Sequence, residues 1–350
     1  MAKMDLRLVA WAWVTRRQAS VTKRSEADVI ALQSRHVPDN PVFNWLFGKV
    51  ADGVSASDRA VPGPAGDNTG RVYRSAGAPA PGPRPLVVYF HGGGFVFGEL
   101  RLGDWLCSEV ALKIGAVVVS VDYRLAPRHR FPAAVEDCYA ALTWAADHAA
   151  ELGATGPLGV MGESAGGTLS AVMCLLARDR GGPAISHQAL IYPATDLTPH
   201  HRAGADPNAP FLSAGEMDVY RRLYLGPDGD TSDPMASPLL AEDHSNLPPA
   251  LIQVGEHDPL REDGRRYAAA LRAAGVPVRL TDYVGMPHGF INFPGLSRMA
   301  PQALSELYTE QAAALTGPVS TEPVSAEPVS TEPLSAEPMP TEPAVTDVSS

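Results

Sequence analysis

Short apolar runs alternate along the middle of the chain with longer segments of helical periodicity. Six runs have the length and the β-branched or aromatic content of buried strands: residues 86–90, 116–121, 158–161, 189–192, 251–254 and 278–283. Helical patterns lie between and after them, at residues 102–114, 133–148, 169–178, 263–274 and 301–315. Apolar strands that alternate with helices predict an α/β fold, with a mostly parallel sheet covered by helices on both faces.

Two further segments do not follow this alternation. Residues 1–50 show three helical patterns, at 5–15, 25–36 and 40–50, whose apolar faces have no partner within the segment. We expect them to pack on the later part of the chain as an N-terminal helical cap. After the strand at 189–192 comes an insertion at about 196–230 with a helix at 214–224. An insertion that follows the carboxyl end of such a strand lies over the functional edge of the sheet, so we predict the second half of the cap there.

The remaining parts complete the predicted domain organisation. Residues 51–84, rich in Gly, Pro, Ser and Ala, contain one strand-like patch at 71–73 and open a main domain that extends to residue 315. Residues 316–350 repeat Glu-Pro every five residues and contain no Lys or Arg. Because this composition has no apolar face to bury, we predict a disordered acidic tail that serves as a solubilising spacer or as a recognition segment.

The charge balance and the N-terminus limit the partners of the chain. The formal net charge of −11 excludes nucleic acid and anionic membrane as expected partners, although the tail carries six of the acidic residues. The apolar stretch at 8–14 is too short to span a bilayer and lacks a cleavage site. We expect an amphipathic helix and a cytoplasmic protein. The alternative is a helix that lies on a membrane surface through Trp11 and Trp13.

The cysteines and histidines do not indicate a metal site. Cys107, Cys138 and Cys174 are far apart and embedded in apolar helical patterns, which favours reduced, buried packing thiols. The chain contains neither Cys-x-x-Cys nor His-Glu-x-x-His. His200 and His201 are adjacent in a loop segment and are interpreted as loop residues. We therefore expect no metal site.

A Gly-x-Ser-x-Gly pattern centred on Ser164 is the strongest chemical signal in the chain. It joins the strand at 158–161 to the helix at 169–178, and in that context it predicts a nucleophile elbow. Gly162 and Gly166 relieve the close approach of backbone segments that a sharp turn imposes. The following helix N-terminus offers N–H groups and partial positive charge to an oxyanion.

A serine nucleophile needs a base, and the base needs an orienting partner. Where the serine stands in a nucleophile elbow, the acid and then the histidine follow it in the chain. Asp258 stands in an Asp-Pro turn directly after the strand at 251–254 and is the predicted acid. Glu256, Glu262 and Asp263 are its competitors. The last two are better placed to begin the following helix, where acidic residues are favoured.

The predicted base is His288. It follows the strand at 278–283 in a Pro-His-Gly loop, at the same edge of the sheet as Ser164 and Asp258. His257 is the alternative, but it precedes Asp258 and so breaks the expected chain order.

A glycine-rich loop follows the strand at 86–90. His91-Gly92-Gly93-Gly94-Phe95 lets the backbone approach a substrate and aim N–H groups inward. We predict that the oxyanion hole is formed by the N–H groups of Gly93, Gly94 and Ala165. A P-loop is excluded because the Lys-Ser/Thr pair does not follow the glycines.

Together these motifs resemble the hormone-sensitive-lipase-like family of α/β-hydrolases. The resemblance runs from about residue 85 to 293, in the family's order, and is carried by His91–Phe95, Asp122–Pro127, Gly162–Gly167, Asp258–Arg261 and His288–Phe290. It implies a serine carboxylesterase that acts on short to medium acyl esters, such as acetyl esters, without a cofactor. It also implies Ser164 as nucleophile, His288 as general base and acid, and Asp258 as the orienting residue. Glu163 departs from the Asp that is commoner beside the nucleophile.

Two other functions fit the same residues. An amide or N-acetyl hydrolase of a small metabolite would use the same catalytic triad, and a small-molecule receptor on this fold would bind without reaction. The presence of His288 disfavours the receptor. The natural substrate, the acyl-chain length and the oligomeric state, monomer or homodimer, are not readable from the sequence.

Overall fold

The computed structural model describes residues 3–77, 82–199 and 209–316. The predictions for His200 and His201 and for almost the whole Glu-Pro tail lie outside these residues.

One eight-stranded sheet forms the centre of the described chain. Its strands are β1 (Val54–Val61), β2 (Asn68–Ser75), β3 (Leu86–Phe90), β4 (Val117–Asp122), β5 (Leu158–Glu163), β6 (Ile185–Ile191), β7 (Ala250–Gly255) and β8 (Val278–Tyr283). Their spatial order is β1-β2-β4-β3-β5-β6-β7-β8. From β4 to β8 all neighbours are parallel, as the alternation of strands and helices predicts.

The α-helices precede the sheet, cross between its strands and follow it. They are α1 (Leu6–Ala19), α2 (Glu26–Gln33), α3 (Pro41–Phe47), α4 (Asp104–Ile114), α5 (Ala133–Asp147), α6 (Ala149–Leu152), α7 (Ala165–Asp179), α8 (Ala214–Leu225), α9 (Arg261–Ala273) and α10 (Ala300–Thr316). The helices predicted within the sheet region are found, with ends shifted by a few residues. The predicted mostly parallel sheet with helices is thereby confirmed.

Residues 51–84 contain more strand than the predicted patch at 71–73, which lies within β2, and the sequence pattern did not predict β1. β1 and β2 form an antiparallel hairpin of eight residues each, and β2 pairs with β4. Most β1 side chains are exposed, so this edge strand has no apolar run that a sequence pattern could detect.

Two N-terminal helices are shorter than predicted. α2 begins after Ser25, whose hydroxyl accepts from the N–H of Asp28 in a capping box, and ends at Gln33 rather than at residue 36. α3 ends at Phe47 because Gly48 adopts φ +79°, outside the right-handed helical region.

The strands that carry the predicted site are buried on both faces. Every residue of β3, β5 and β7 is buried, and α7 is buried along nearly its whole length against β5 and β6. Such burial fixes the loops at the carboxyl ends of these strands, because interiors pack at crystal-like density.

The three cysteines are unpaired and buried within the core, as predicted. Cys107 lies in α4, Cys138 in α5 and Cys174 in α7. Burial raises the pKa of each thiol above its ordinary range.

Within the described residues, no helix has the length and apolarity needed to cross a bilayer.

Candidate active site

The turn between β5 and α7 holds Ser164 in a strained conformation. Ser164 has φ +54° and ψ −120°, a region that residues with a side chain rarely adopt and that occurs at functional sites. The predicted reason for the flanking glycines is visible here. A Cβ on Gly166 would meet the carbonyl of Phe90, and one on Gly162 would meet the carbonyl of Gly166. The helix starts at Ala165, directly after Ser164, and not at residue 169 as the apolar pattern suggested.

Three loops that are distant in sequence bring Ser164, His288 and Asp258 together. His288 Nε2 lies 3.0 Å from Ser164 Oγ, and His288 Nδ1 lies 2.7 Å from Asp258 Oδ2. Asp258 and His288 are both buried. Because an ionised carboxylate only accepts hydrogen bonds, Nδ1–H donates to Asp258 and leaves the Nε2 lone pair directed at the serine hydroxyl.

The side chain of Asp258 is oriented by a hydrogen bond within its own turn. Asp258 Oδ1 accepts from the N–H of Leu260 at 2.8 Å, which orients the other oxygen toward the imidazole. The Tyr192 ring and the imidazole pack in a T-shaped arrangement, with 4.7 Å between ring centroids. The carboxylate and the ring therefore both restrict the orientation of His288.

The competing residues have other contacts. Glu256 accepts from the N–H of Gly285 at 2.9 Å and ties the Asp258 loop to the His288 loop. Glu262 and Asp263 lie in the first turn of α9, as predicted. The backbone N–H of His257 donates to the carbonyl of Met286 at 2.9 Å, which joins the same two loops.

The glycine loop after β3 faces Ser164 across the cavity. Gly93 and Gly94 have φ +114° and +65°, conformations that glycine adopts without strain. Both glycines line the same cavity as Ser164 and Ala165. The carbonyl of Gly93 accepts from the N–H groups of Val96 and Phe97 and closes the loop.

Buried polar groups hold this loop from behind. Glu163 Oε1 accepts from the N–H of Gly92 at 2.8 Å, and burial raises the pKa of Glu163 to about 7. The hydroxyl of Tyr123 donates to the carbonyl of His91 at 2.6 Å. Burial lowers the pKa of His91 to about 4, so its ring is neutral. His91 therefore supports the loop as a packed neutral ring.

The space in front of Ser164 is a cavity of about 260 Å³ with mainly apolar walls. The insertion supplies one side of it, through Phe211, Leu212, Met217, Tyr220 and Arg221. A Cβ on Gly94 would lie 2.6 Å from the Tyr220 ring, so α8 packs directly on the glycine loop.

Sequence reasoning placed the insertion over the site but did not identify these wall residues. It also missed Asn292 and Phe293, which line the cavity after His288. The only available signal was the position of the insertion after a strand's carboxyl end, because no motif distinguishes a cavity-facing Phe or Arg from a solvent-facing one.

Comparison with known proteins agrees with the geometry. A family model described as alpha/beta hydrolase fold matches residues 87–292, more than half of the chain. The chain belongs to this family. The carboxylic ester hydrolase LipN of Mycobacterium tuberculosis is 45% identical over 75% of this chain and 71% of its own length. Esterase LipI of the same organism is 44% identical, over 79% and 85% respectively.

A solved structure shows the same fold in a third relative. A hyperthermophilic esterase from the archaeon Pyrobaculum calidifontis superposes with a TM-score of 0.79 and 37% identity, over 89% of this chain and 99% of that one. The predicted resemblance to hormone-sensitive-lipase-like α/β-hydrolases is thereby confirmed.

The N-terminal helices of this hydrolase contact the loops that carry the site. The N–H of Asp5, just before α1, donates to the carbonyl of Gly285 in the His288 loop. Gln33 in α2 donates from Nε2 to the carbonyls of Val96 and Ala126, at 2.8 and 2.6 Å. Of the described residues that line the cavity, none comes from these helices.

α3 makes a similar contact. The Phe47 ring packs against Phe293, a cavity residue, with 5.3 Å between centroids. Contacts from the N-terminal segment at 3–50 thus reach the loops that carry both Gly93 and His288.

Within the described part of the chain, no three His, Cys, Asp or Glu side chains cluster in a way that could hold a metal ion.

Proposed function

We propose that this α/β-hydrolase cleaves carboxylic esters of short to medium acyl chains through an acyl-enzyme on Ser164. The chain is an ester-hydrolysing enzyme of the α/β-hydrolase type. The observation that carries the assignment of residues is the continuous hydrogen-bonded series from Ser164 through His288 to Asp258, at 3.0 and 2.7 Å. This arrangement of nucleophile, base and orienting acid is what serine hydrolysis requires.

The reaction begins when Ser164 Oγ attacks the ester carbonyl carbon and His288 Nε2 accepts the serine proton. Asp258 keeps the imidazole in the required tautomer and stabilises the imidazolium that forms. The carbonyl oxygen becomes an oxyanion, which the N–H groups of Gly93, Gly94 and Ala165 stabilise.

The tetrahedral intermediate then collapses. The bond to the alcohol breaks, and His288 protonates the departing alcohol. Water, deprotonated by His288, attacks the acyl-enzyme in the same way and releases the acid together with free Ser164.

The volume of the cavity favours substrates with short acyl chains. Its volume of about 260 Å³ lies below the roughly 300–1,000 Å³ of common ligand pockets. Apolar walls suit an acyl chain of a few carbons. Acetyl to butyryl esters are therefore the substrates that we propose.

The two cap segments have different roles in this proposal. The described part of the insertion from 209 to 230 lines the site and would contact substrate through Phe211 and Tyr220. The N-terminal segment supports the loops that carry Gly93 and His288. Cytoplasmic placement belongs to the same proposal and is supported by the three unpaired cysteines, which suit a reducing compartment.

The test is hydrolysis of p-nitrophenyl acetate, butyrate and octanoate by the wild type and by Ser164→Ala. We expect loss of turnover in Ser164→Ala and a fall in kcat/KM from butyrate to octanoate. Ser232→Ala, which changes an exposed serine, is the matched control and should keep wild-type turnover. A fluorophosphonate should label Ser164 alone, as read by peptide mapping. Undiminished turnover in Ser164→Ala refutes the assignment, and absence of both turnover and labelling favours a receptor.

A further inference from the structure

One cation lies in the mainly apolar wall of the substrate cavity. Tyr220 and Arg221 lie three and four residues after Met217 on α8, and all three line the cavity. The Arg221 side chain is about four-fifths buried, with 20% of its surface exposed. Among the described lining residues, Arg221 is the only permanently charged side chain.

The hydrogen bonds of this guanidinium are incompletely satisfied. Arg221 Nη2 lies 3.4 Å from Asp218 Oδ1, a long contact on the side of the helix where Asp218 is about half exposed. Arg221 Nε is buried and has no hydrogen-bond partner. A buried donor without a partner destabilises a fold, so its presence in a cavity wall points to a ligand that would accept a hydrogen bond from it.

The chemistry of arginine defines that ligand. A guanidinium offers parallel N–H donors that match the two oxygens of a carboxylate. One cation balances a single negative charge, whereas a phosphate monoester would bring close to two charges beside His288, which must stay neutral to act as a base. The apolar residues of the wall, Met217 and Phe211, would contact the methylene groups between the two ends of such a substrate.

We propose that Arg221 forms a carboxylate subsite and that the preferred substrates are esters that carry a second, ionised carboxyl group. This proposal rests on the ester hydrolysis proposed above. The ester end of the substrate lies at Ser164 and the oxyanion hole, and the free carboxylate pairs with Arg221 and supplies the missing acceptor for its buried donor.

The experiment compares esters that differ only in this charge. In the first pair, monomethyl glutarate is matched with the methyl ester of glutaric acid monoamide. In the second pair the charge lies on the alcohol side, in 4-acetoxybutanoate and 4-acetoxybutanamide. Released alcohol or acid is measured at pH 8 for the wild type. Charge-assisted hydrogen bonds predict a kcat/KM higher by roughly 10- to 100-fold for the carboxylate in at least one pair.

Variants separate this role from a structural one. Arg221→Gln should bring the two members of the preferred pair to within about 2-fold of each other, because the cation is lost. Arg221→Lys keeps the positive charge but lacks the planar guanidinium, so its ratio of kcat/KM for carboxylate over amide should be intermediate. Arg222→Gln removes the neighbouring exposed arginine and should keep the wild-type ratio. Structural damage would slow both esters of a pair equally and leave their ratio unchanged.

Either of two results would refute the carboxylate subsite. In the first, the wild type hydrolyses the carboxylate and the amide of each pair with equal kcat/KM. In the second, the preference for the carboxylate persists in Arg221→Gln. Failure of the proposed function looks different, because the wild type would then hydrolyse neither p-nitrophenyl butyrate nor any of the four esters.

Discussion

Replacing Glu163 by Gln should make the stability of the protein less dependent on pH. Glu163 lies beside the nucleophile, is buried, and accepts from the N–H of Gly92 through Oε1. Burial raises its pKa from 4.5 to about 7 in the folded protein. The amide oxygen of Gln can accept the same hydrogen bond, while the amide never ionises.

The sign of the effect follows from proton binding. Between pH 4.5 and about 7 the folded state holds a proton on Glu163 that the unfolded chain has lost. Stability therefore falls as the pH rises through this window. A pKa that rises from 4.5 to about 7 corresponds to about 3 kcal/mol, most of which is lost between pH 5 and pH 8. Below pH 4.5 the carboxyl of the wild type is protonated, and it then has the same charge as the amide of the Glu163→Gln variant.

The assay is urea unfolding of the wild type and Glu163→Gln at pH 5, 6, 7 and 8. The variant should gain stability relative to the wild type by about 2–3 kcal/mol over this range. Glu151→Gln, at an exposed position of α6, serves as the control and should track the wild type. Parallel stability curves for the wild type and Glu163→Gln would show that the buried carboxyl does not titrate in this window.

Three further changes test the site and its supports. Gly94→Ala should reduce kcat/KM by at least 10-fold with p-nitrophenyl butyrate, because φ +65° is strained for alanine and its Cβ would lie 2.6 Å from the Tyr220 ring; wild-type activity would contradict the close packing. Asp258→Asn should lower kcat by up to about 10⁴-fold, since the amide no longer enforces the base tautomer; a loss below 10-fold would contradict that role. Gln33→Ala leaves two backbone carbonyls without their donor and should reduce the free energy of unfolding by about 1–3 kcal/mol, so a change within about 0.5 kcal/mol in urea unfolding would show that the contacts contribute little.

The sequence predicted the inner strands because burial on both faces leaves an apolar run. Val117–Asp122 and Leu158–Glu163 are examples, with nearly every residue buried. Val54–Val61 was missed because it is an edge strand whose side chains are mostly exposed. Its extended conformation depends on backbone pairing with Asn68–Ser75, and backbone pairing has no signature in side-chain polarity.

In the site too, some features have a sequence pattern and others do not. The meeting of Ser164, Asp258 and His288 could be predicted because each follows a recognisable strand and their chain order is characteristic of a triad. The cavity walls could not be predicted from a motif. Whether Arg221 faces substrate or solvent depends on how α8 rotates against the glycine loop, and that rotation is set by tertiary contacts such as Tyr220 on Gly94.

The burial of all three thiols gives the protein an intrinsic reporter of its own unfolding. Cys107, Cys138 and Cys174 are each at most 2% exposed, so a colorimetric disulfide reagent can reach them only when the core opens. The rate of thiol modification would follow the opening of helices α4, α5 and α7, which surround the sheet. A single cysteine introduced on the surface would be the one thiol that reacts in the native state. Such a variant can therefore be labelled specifically without first removing the three native cysteines.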